Sequence, residues 1–388
     1  LSMVSWITVS NWVLVALPLF IFMGEILFTS GIGSDLYEVA SRWLGRLPGG
    51  LAIASVAACA AFGAICGSSA ATAATIGTVA IPEMNQRGYD RKLTLGALAA
   101  GGTLGIMIPP SIPLIIYGMM VEQSVGALFI AGFIPGIMLA VIFSLYIGIM
   151  ATLRPNLAPR LGSVSWESRF ASLKGTWAAL VLIVVVLGGI YAGVMTATEA
   201  AAGGAAAALL IALARRKLGW QGFHHSMLST VRTTAMIMVI VIGAMILGNL
   251  FTALRIPQQA LELVSGLNTS PYVVLGLIYL ILLIMGMFLD SMSILLITVP
   301  VVYPVILNLG FDPIWFGIFM VVNLELGLIT PPVGMNLFVI HGISGSPNIS
   351  EVIKGSVPYV FLMTLGLVIL TAFPALALWL PSRMMGSP

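Results

Sequence analysis

Displaced by 222 residues, the sequence falls on itself at its rarest positions without a gap. Ser69 meets Ser291, Pro82 meets Pro304, Gly88 meets Gly310 and Asp90 meets Asp312. Leu104-Gly105 meets Leu326-Gly327, and Pro109-Pro110 meets Pro331-Pro332. Upstream, at an offset of 224, Gly24-Glu25 meets Gly248-Asn249, while Glu38 and Ser41 meet Glu262 and Ser265. Agreement at Leu or Ala carries little weight in an apolar chain. Agreement at Pro-Pro and at Gly-(aromatic)-Asp carries much more, and it makes the chain two copies of one unit. The copies occupy 1–152 and 177–388, with a linker at 153–176 on the cytoplasmic side.

The solvent of this unit follows from its charge. Only 7% of residues are charged and 60% are hydrophobic, with a mean hydropathy of +1.11. A soluble domain carries roughly 25% charged residues to cover its surface. Apolar runs near the length of about 20 residues needed to cross a bilayer recur at 13–28, 178–191, 234–247, 273–288 and 361–380. The 42 glycines and 21 prolines suit membrane helices, which tolerate both and use Gly for close packing. Cys59 and Cys66 form no CxxC pair and are read as small packing residues. The net charge of +3 sits in membrane-flanking loops and gives no reason to expect nucleic acid. The class is an all-α integral membrane protein.

Each copy reads as a transmembrane helix, a short amphipathic segment, and two apolar runs joined by a small polar tip. The hairpins are expected at about 50–86 and about 271–308. Their tips are Gly67-Ser68-Ser69 and Asp290-Ser291-Met292-Ser293, and their short arms predict re-entrant hairpins. After each comes a helix broken by Gly and Pro, at about 93–122 and about 313–340. The breaks are 105–111 (GIMIPPS) and 327–334 (GLITPPVG). Thirteen basic residues flanking the first hairpin, in the linker and after the next helix pair fall on one side with Lys354, leaving Arg255 and Arg383 opposite. That side is assigned to the cytoplasm. The second hairpin, flanked by 268–271 and 308–312 without Lys or Arg, then opens to the other face, so the repeats are inverted. Two apolar runs, 178–191 and 199–214, precede the second copy. Their counterparts would precede Leu1, so the repeat predicts about 50 further residues ahead of it in the native chain.

Inverted repeats with broken helices are the pattern of secondary transporters, whose solutes bind near the midplane. Half-helix N-termini present N–H groups suited to a carboxylate. Unwound carbonyls and hydroxyls suit a small hard cation such as Na+. One Na+ is expected at Gly67, Ser68 and Ser69 with Gly105 and Pro109, and one at Asp290 and Ser291 with Gly327 and Thr330. The plain alternative for 67–72 is small-residue helix packing, and for Asp290 an interfacial carboxylate facing water. Glu325 is either a helix–helix hydrogen-bonding residue or a ligand. Glu25 and Glu199 are read as scaffold, His224 and His225 as residues of an interfacial surface helix, and His341 as structural. No GxxxxGK[ST], HExxH or GxSxG motif occurs, which leaves ATP-driven transport and intramembrane hydrolysis without support. Two occluded tips favour an alternating carrier over a channel.

At 63–75 (GAICGSSAATAAT), Pro82-Glu83-Met84 with Gly88-Tyr89, 101–117 (GGTLGIMIPPSIPLIIY), 128–136 (LFIAGFIPG), 188–201 (GGIYAGVMTATEAA) and 326–336 (LGLITPPVGMN), the chain resembles the large membrane subunit of TRAP (tripartite ATP-independent periplasmic) transporters. The resemblance spans nearly the whole chain. It implies Na+-coupled uptake of a small organic acid such as a C4-dicarboxylate or sialic acid, across the bacterial inner membrane. It also implies two partners, a small four-helix membrane subunit and a periplasmic substrate-binding protein. The implied fold is similar to divalent-anion/sodium symporters, in which a transport domain (here 50–117 and 271–339) moves like an elevator against a scaffold that includes amphipathic arms near 34–47 and 257–266. The implied Na+ sites are the tips and breaks named above. The anion is expected between them, against Ser69, Thr72, Ser111, Ser293, Pro331, Gly334 and Asn336. A carboxylate symporter coupled to Na+ or H+ and working without a binding protein is the nearest alternative.

Overall fold

A computed structural model of the chain describes residues 2–160, 162, 165–266 and 269–384, and among these every regular element is helical. Leu1 and Asn268, used above for the native start and for the flank of the second hairpin, lie outside the described residues. The first copy opens with α1 (Ser2–Val9), a short turn at Trp12–Val15 and α2 (Ala16–Thr29). There follow α3 (Ile32–Leu44), the hairpin α4 (Gly50–Cys66) and α5 (Ser69–Gln86), the broken helix α6 (Arg91–Met107) and α7 (Ile112–Met120), and α8 (Val125–Leu153). The linker holds α9 (Trp166–Leu173). The second copy opens with α10 (Trp177–Ile183) running through a wider turn into α11 (Gly189–Tyr191), and α12 (Ala197–Ala214). It continues with α13 (Trp220–Ala253), α14 (Ile256–Gly266), the hairpin α15 (Pro271–Gly286) and α16 (Ser291–Asn308), the broken helix α17 (Pro313–Leu328) and α18 (Met335–Ser344), then α19 (Ser350–Ala372) and α20 (Ala375–Met384).

The displacement seen in the sequence holds in the backbone. Moved by 222, the bounds of α5 become those of α16, and α6 starts where α17 starts. The reason is local chemistry repeated at equal spacing. Gly88 and Gly310 take left-handed backbone (φ 74° and 80°) before each broken helix, where a Cβ would be strained. Two residues on, an aspartate caps the helix. Asp90 accepts from the Leu93 N–H at 3.0 Å, and Asp312 from those of Ile314 and Trp315 at 2.8 and 2.9 Å, satisfying donors that the first turn leaves free.

Among the described residues six helices are long and apolar enough to cross a membrane, and two bent pairs also qualify, α6 with α7 (41°) and α9 with α10–α11 (49°). The hairpin arms α4 and α15 have 17 and 16 residues, or about 25 Å, against a hydrocarbon core of about 30 Å. By length and composition, the candidate spans between the hairpins are α6–α7, α8, α9 with α10–α11, α12 and α13. An odd number of crossings turns the second hairpin to the opposite face, and this holds however deep either hairpin reaches. The copies interlock: α6 packs on α19 and α17 on α8, while α5 packs on α18 and α16 on α7.

Two features go beyond the sequence reading. The surface helix expected at His224 and His225 is not separate. No proline interrupts 220–253, so it runs on as the 34-residue α13, about 51 Å long and able to project from the bilayer. Both histidines are exposed. The linker carries α9, which docks on the amphipathic α3. Arg42 donates to the Ser168 carbonyl and hydroxyl, each at 3.0 Å, and Trp43 to the Arg169 carbonyl at 3.3 Å. Asp35 of α3 also pairs with Arg215 beyond α12. These contacts gather basic residues from three segments at one surface, the side assigned to the cytoplasm.

Closest approach marks where the packing is least forgiving. A Cβ on Gly96 would lie 2.0 Å from the Gly355 carbonyl oxygen, across the α6–α19 contact, whereas one on Gly148 of α8 would meet nothing within 4 Å. Gly96→Ala is expected to destabilise by about 1–3 kcal/mol through overpacking, and Gly148→Ala to be neutral or stabilising by up to about 1 kcal/mol. Thermal melts of the purified variants in detergent check this, and the reverse order would contradict the interlocked arrangement.

Candidate functional site

Membrane-depth helix ends must satisfy their peptide groups within the protein, and each hairpin tip shows how. Gly67 closes α4 with left-handed backbone (φ 68°), and the next residue, Ser68, caps α5 by accepting from the Ala71 N–H at 3.4 Å. In the second copy Asp290 holds the equivalent position. Its carboxylate accepts from the Met292 and Ser293 N–H groups at 2.9 and 3.2 Å, and the Ser293 hydroxyl also donates to it. In this arrangement Asp290 serves as a helix cap, half-buried at the tip. Both breaks hold a cis proline pair, Pro109-Pro110 and Pro331-Pro332. Ser111 caps α7 by accepting from Leu114 N–H at 3.4 Å. At the other break Gly334 precedes α18 with φ 57°.

Each tip meets its own break. A Cβ on Gly105 would sit 2.4 Å from the Thr72 hydroxyl oxygen and 2.8 Å from the Ser68 carbonyl oxygen, and one on Gly67 would sit 2.7 Å from the Pro110 carbonyl oxygen. The residues expected for the first cation are therefore together: Gly67, Ser68 and Ser69 against Gly105 and the Pro109 turn. In the second copy a Cβ on Gly327 would lie 2.5 Å from the Gly286 Cα, and the Val333 N–H donates to the Met287 carbonyl at 3.2 Å. Thr330 turns its hydroxyl onto the Leu326 carbonyl at 2.6 Å. Ser291 is buried on α16, which packs along α17, and its hydroxyl has no hydrogen-bond partner. Asp290 and Thr330 thus engage their own helices rather than each other.

One set of contacts runs between the copies. The Ser69 hydroxyl, at the first tip, donates to Glu325 Oε2 at 3.0 Å and accepts from Asn336 Nδ2 at 2.8 Å. Asn336 Nδ2 also donates to the Ala99 carbonyl at 3.3 Å. The exposures of Ser69, Glu325 and Asn336 are 1%, 1% and 0%. The first tip is thus tied to the second copy's broken helix. Glu325 does form a helix–helix hydrogen bond, as one of its two readings held, and its Oε1 remains unpartnered. The symmetry does not extend to this seam. Moved by 222, Glu325 becomes Thr103 and Asn336 becomes Leu114, so the opposite seam lacks both polar groups. Exposure follows the same division: the first tip and break are largely buried, while Phe288 and Leu289 beside the second tip are 60% and 42% exposed and Pro332 is exposed.

Other assignments find their places. Glu25 accepts from the Ser229 hydroxyl at 2.7 Å, joining α2 to α13. Glu199 completes a capping box with Thr196 at the start of α12. The sequence reading did not single out Asn323, fully buried on α17, which donates to the Tyr279 carbonyl at 3.2 Å. An asparagine inside so apolar a helix was the available signal. The Ser69–Glu325 contact had none, because its partners are 256 residues apart.

The family described as tripartite ATP-independent periplasmic transporter, DctM component, matches residues 2–376. Among curated proteins, the chain is 39% identical to a C4-dicarboxylate TRAP transporter large permease protein of Pseudomonas aeruginosa, over 97% of this chain and 87% of that one. It is 32% identical to the sialic acid TRAP transporter large permease protein of Vibrio cholerae, over 97% and 88%. Among solved structures, the Alcanivorax borkumensis YdaH transporter, described as having an unusual topology, aligns with a TM-score of 0.60 over 98% of this chain and 86% of that one. Identity there is 15%, so that likeness concerns the fold.

The seam yields a stability contrast. Ser69→Ala strips Glu325 of its hydrogen bond in a buried setting and is expected to cost about 1–3 kcal/mol. Ser291→Ala, at the equivalent position, removes a hydroxyl that bonds to nothing and should change stability by less than about 0.5 kcal/mol. Melting of both variants in one detergent measures the difference, and equal losses would mean that the Ser69–Glu325 bond holds nothing together.

Proposed function

The chain belongs to the DctM component family of tripartite ATP-independent periplasmic transporters, and on that footing we propose that it performs Na+-coupled uptake of a small organic acid anion, with a C4-dicarboxylate as the first candidate. It is a multi-pass membrane transporter, and its cargo class is organic acids. The finer reading rests mainly on one observation: at each tip a half-helix N-terminus, unwound carbonyls and hydroxyls lie against a broken helix of the same copy. N-termini of α5, α7 and α18 offer N–H groups to a carboxylate, and unwound carbonyls and hydroxyls offer oxygen to Na+. On this reading the anion sits between the tips, near Ser69, Thr72, Ser111, Ser293, Pro331, Gly334 and Asn336. The C4-dicarboxylate choice follows the name of the Pseudomonas aeruginosa relative. Sialic acid, named for the Vibrio cholerae relative, is the second candidate.

A tripartite system supplies the remaining parts: a small membrane subunit beside the scaffold and a periplasmic protein that delivers the anion, in the inner membrane of a bacterium. Coupling is a population argument. Na+ at a tip favours the geometry that accepts the anion, and the loaded transport domain crosses as an elevator more readily than the partly loaded one. Each net positive charge carried inward gains about 2.3 kcal/mol per 100 mV, so coupling to more Na+ than the anion's charge draws on the membrane potential.

Reconstitution with both partners tests the proposal. In proteoliposomes, labelled C4-dicarboxylate should accumulate only with an inward Na+ gradient and the binding protein present. Accumulation of free anion without the binding protein would favour the simpler symporter. Asp290→Ala and Ser68→Ala each remove a cap from a tip, and each is expected to lower Na+-stimulated uptake at least about tenfold, or about 1.4 kcal/mol, with membrane insertion intact. Unchanged uptake in both would remove the tips from the site.

A further inference from the structure

A guanidinium keeps its charge at any depth, so a buried arginine needs an anion beside it. Arg169 of α9 is 8% exposed. Its backbone carbonyl accepts from Trp43 and from the Ser172 hydroxyl. Its Nε is buried without a partner, and the guanidinium enters no ion pair among the described residues. The carboxylates of α3 are already committed, Asp35 to Arg215 and Glu38 to Arg42. Glu167 is exposed, and residues two apart on a helix do not face each other. What the guanidinium does meet is the Trp166 ring, with 4.9 Å from Cζ to the ring centroid. A ring face attracts a cation but brings no net charge.

The surroundings say which anion. Trp166, Phe170 and Leu173, at i, i+4 and i+7, form an exposed apolar stripe along α9. Trp166 and Phe170 stack at 6.2 Å, and both meet Trp43 of α3 edge-on. A helix with such a stripe and a charged flank lies in the bilayer surface, with the stripe among the acyl chains. Tryptophan favours the headgroup level, and Trp177, at the start of α10, is exposed as well. Arg169 lies at the edge of this stripe, beside Phe170, and the exposed Lys174 follows the helix. The unmatched charge is therefore at headgroup depth with lipid next to it. Water there would satisfy N–H groups and leave the charge.

We propose that Arg169 and the Trp166–Phe170 face bind one anionic phospholipid, of the phosphatidylglycerol class, in the leaflet on the side assigned to the cytoplasm. The headgroup phosphate accepts from the guanidinium, and the acyl chains lie along the stripe. A zwitterionic headgroup carries its own ammonium with its phosphate and leaves the arginine unbalanced. The bound lipid braces α9 where it docks on α3, so it holds the linker to the amphipathic arm of the first copy. The proposal is independent of the cargo and of the coupling ion.

Native mass spectrometry of the purified full chain, titrated in detergent with phosphatidylglycerol or phosphatidylethanolamine, provides the test. The wild type is expected to bind one phosphatidylglycerol about fivefold more tightly than phosphatidylethanolamine. Arg169→Gln should lose that preference, and Glu167→Gln should keep it. Phe170→Ala, which retains the charge, is expected to weaken the tight site about threefold through lost apolar contact. Melting in detergent shows whether each variant is folded, and Phe170→Ala decides the matter if Arg169→Gln is not. Equal affinity of the wild type for both lipids, an unchanged preference in a folded Arg169→Gln, or unchanged affinity in Phe170→Ala would overturn the site. Displacement of the lipid by its soluble headgroup, glycerophosphoglycerol, would make this a site for a free anion. Displacement by the small membrane subunit would give Arg169 to that partner. Either result would reject the lipid.

Discussion

In lipid a peptide group has no water to turn to, and the hairpin tips and helix breaks of this chain are organised by that constraint. The chain leaves helical structure at membrane depth in four places, two tips and two breaks. Each opens free N–H groups on one side and free carbonyls on the other. Caps from Ser68, Ser111 and Asp290 take some of the donors. Packing a tip against the break of its own copy shields the rest, which is why the backbones approach at Gly63 with Gly105 and at Gly286 with Gly327. These polar atoms would be costly if left facing hydrocarbon, so the same contacts that shape the tips also stabilise them.

The two copies share this solution in backbone and differ in side chains. Helix bounds, the Gly-aromatic-Asp turn and the cis proline pair recur under one displacement. The seam chemistry does not. Glu325 and Asn336 give the first tip a polar anchor on the second broken helix, while Thr103 and Leu114 at the equivalent positions give the second tip none. The second tip is correspondingly more exposed. The first hairpin is held by a buried polar network as well as by packing, and the second by packing and its own cap.

Polar contacts also join elements outside this core. Glu25 with Ser229 ties α2 to α13, and the α3–α9 pair collects arginines at one surface. Large apolar side chains such as Leu145, Val239 and Phe361 stand exposed on α8, α13 and α19, the expected state of helices whose solvent is lipid.

By itself the sequence determined what repeats and what is local. Charge content set the solvent, the 222-residue displacement set the duplication, and Gly, Pro, Ser and Asp at fixed spacing set the tips, the breaks and their caps, because turn and cap chemistry acts over a few residues. Helix continuity was less legible: a surface helix and a span merged into α13, since nothing between them stops a helix. The pairing of Ser69 with Glu325 and Asn336 belonged to the tertiary structure alone. Positions far apart in the chain meet only when the two copies are placed together, and no local pattern records which side of a helix will face the other copy. For that reason Glu325 read ambiguously until its neighbours were known.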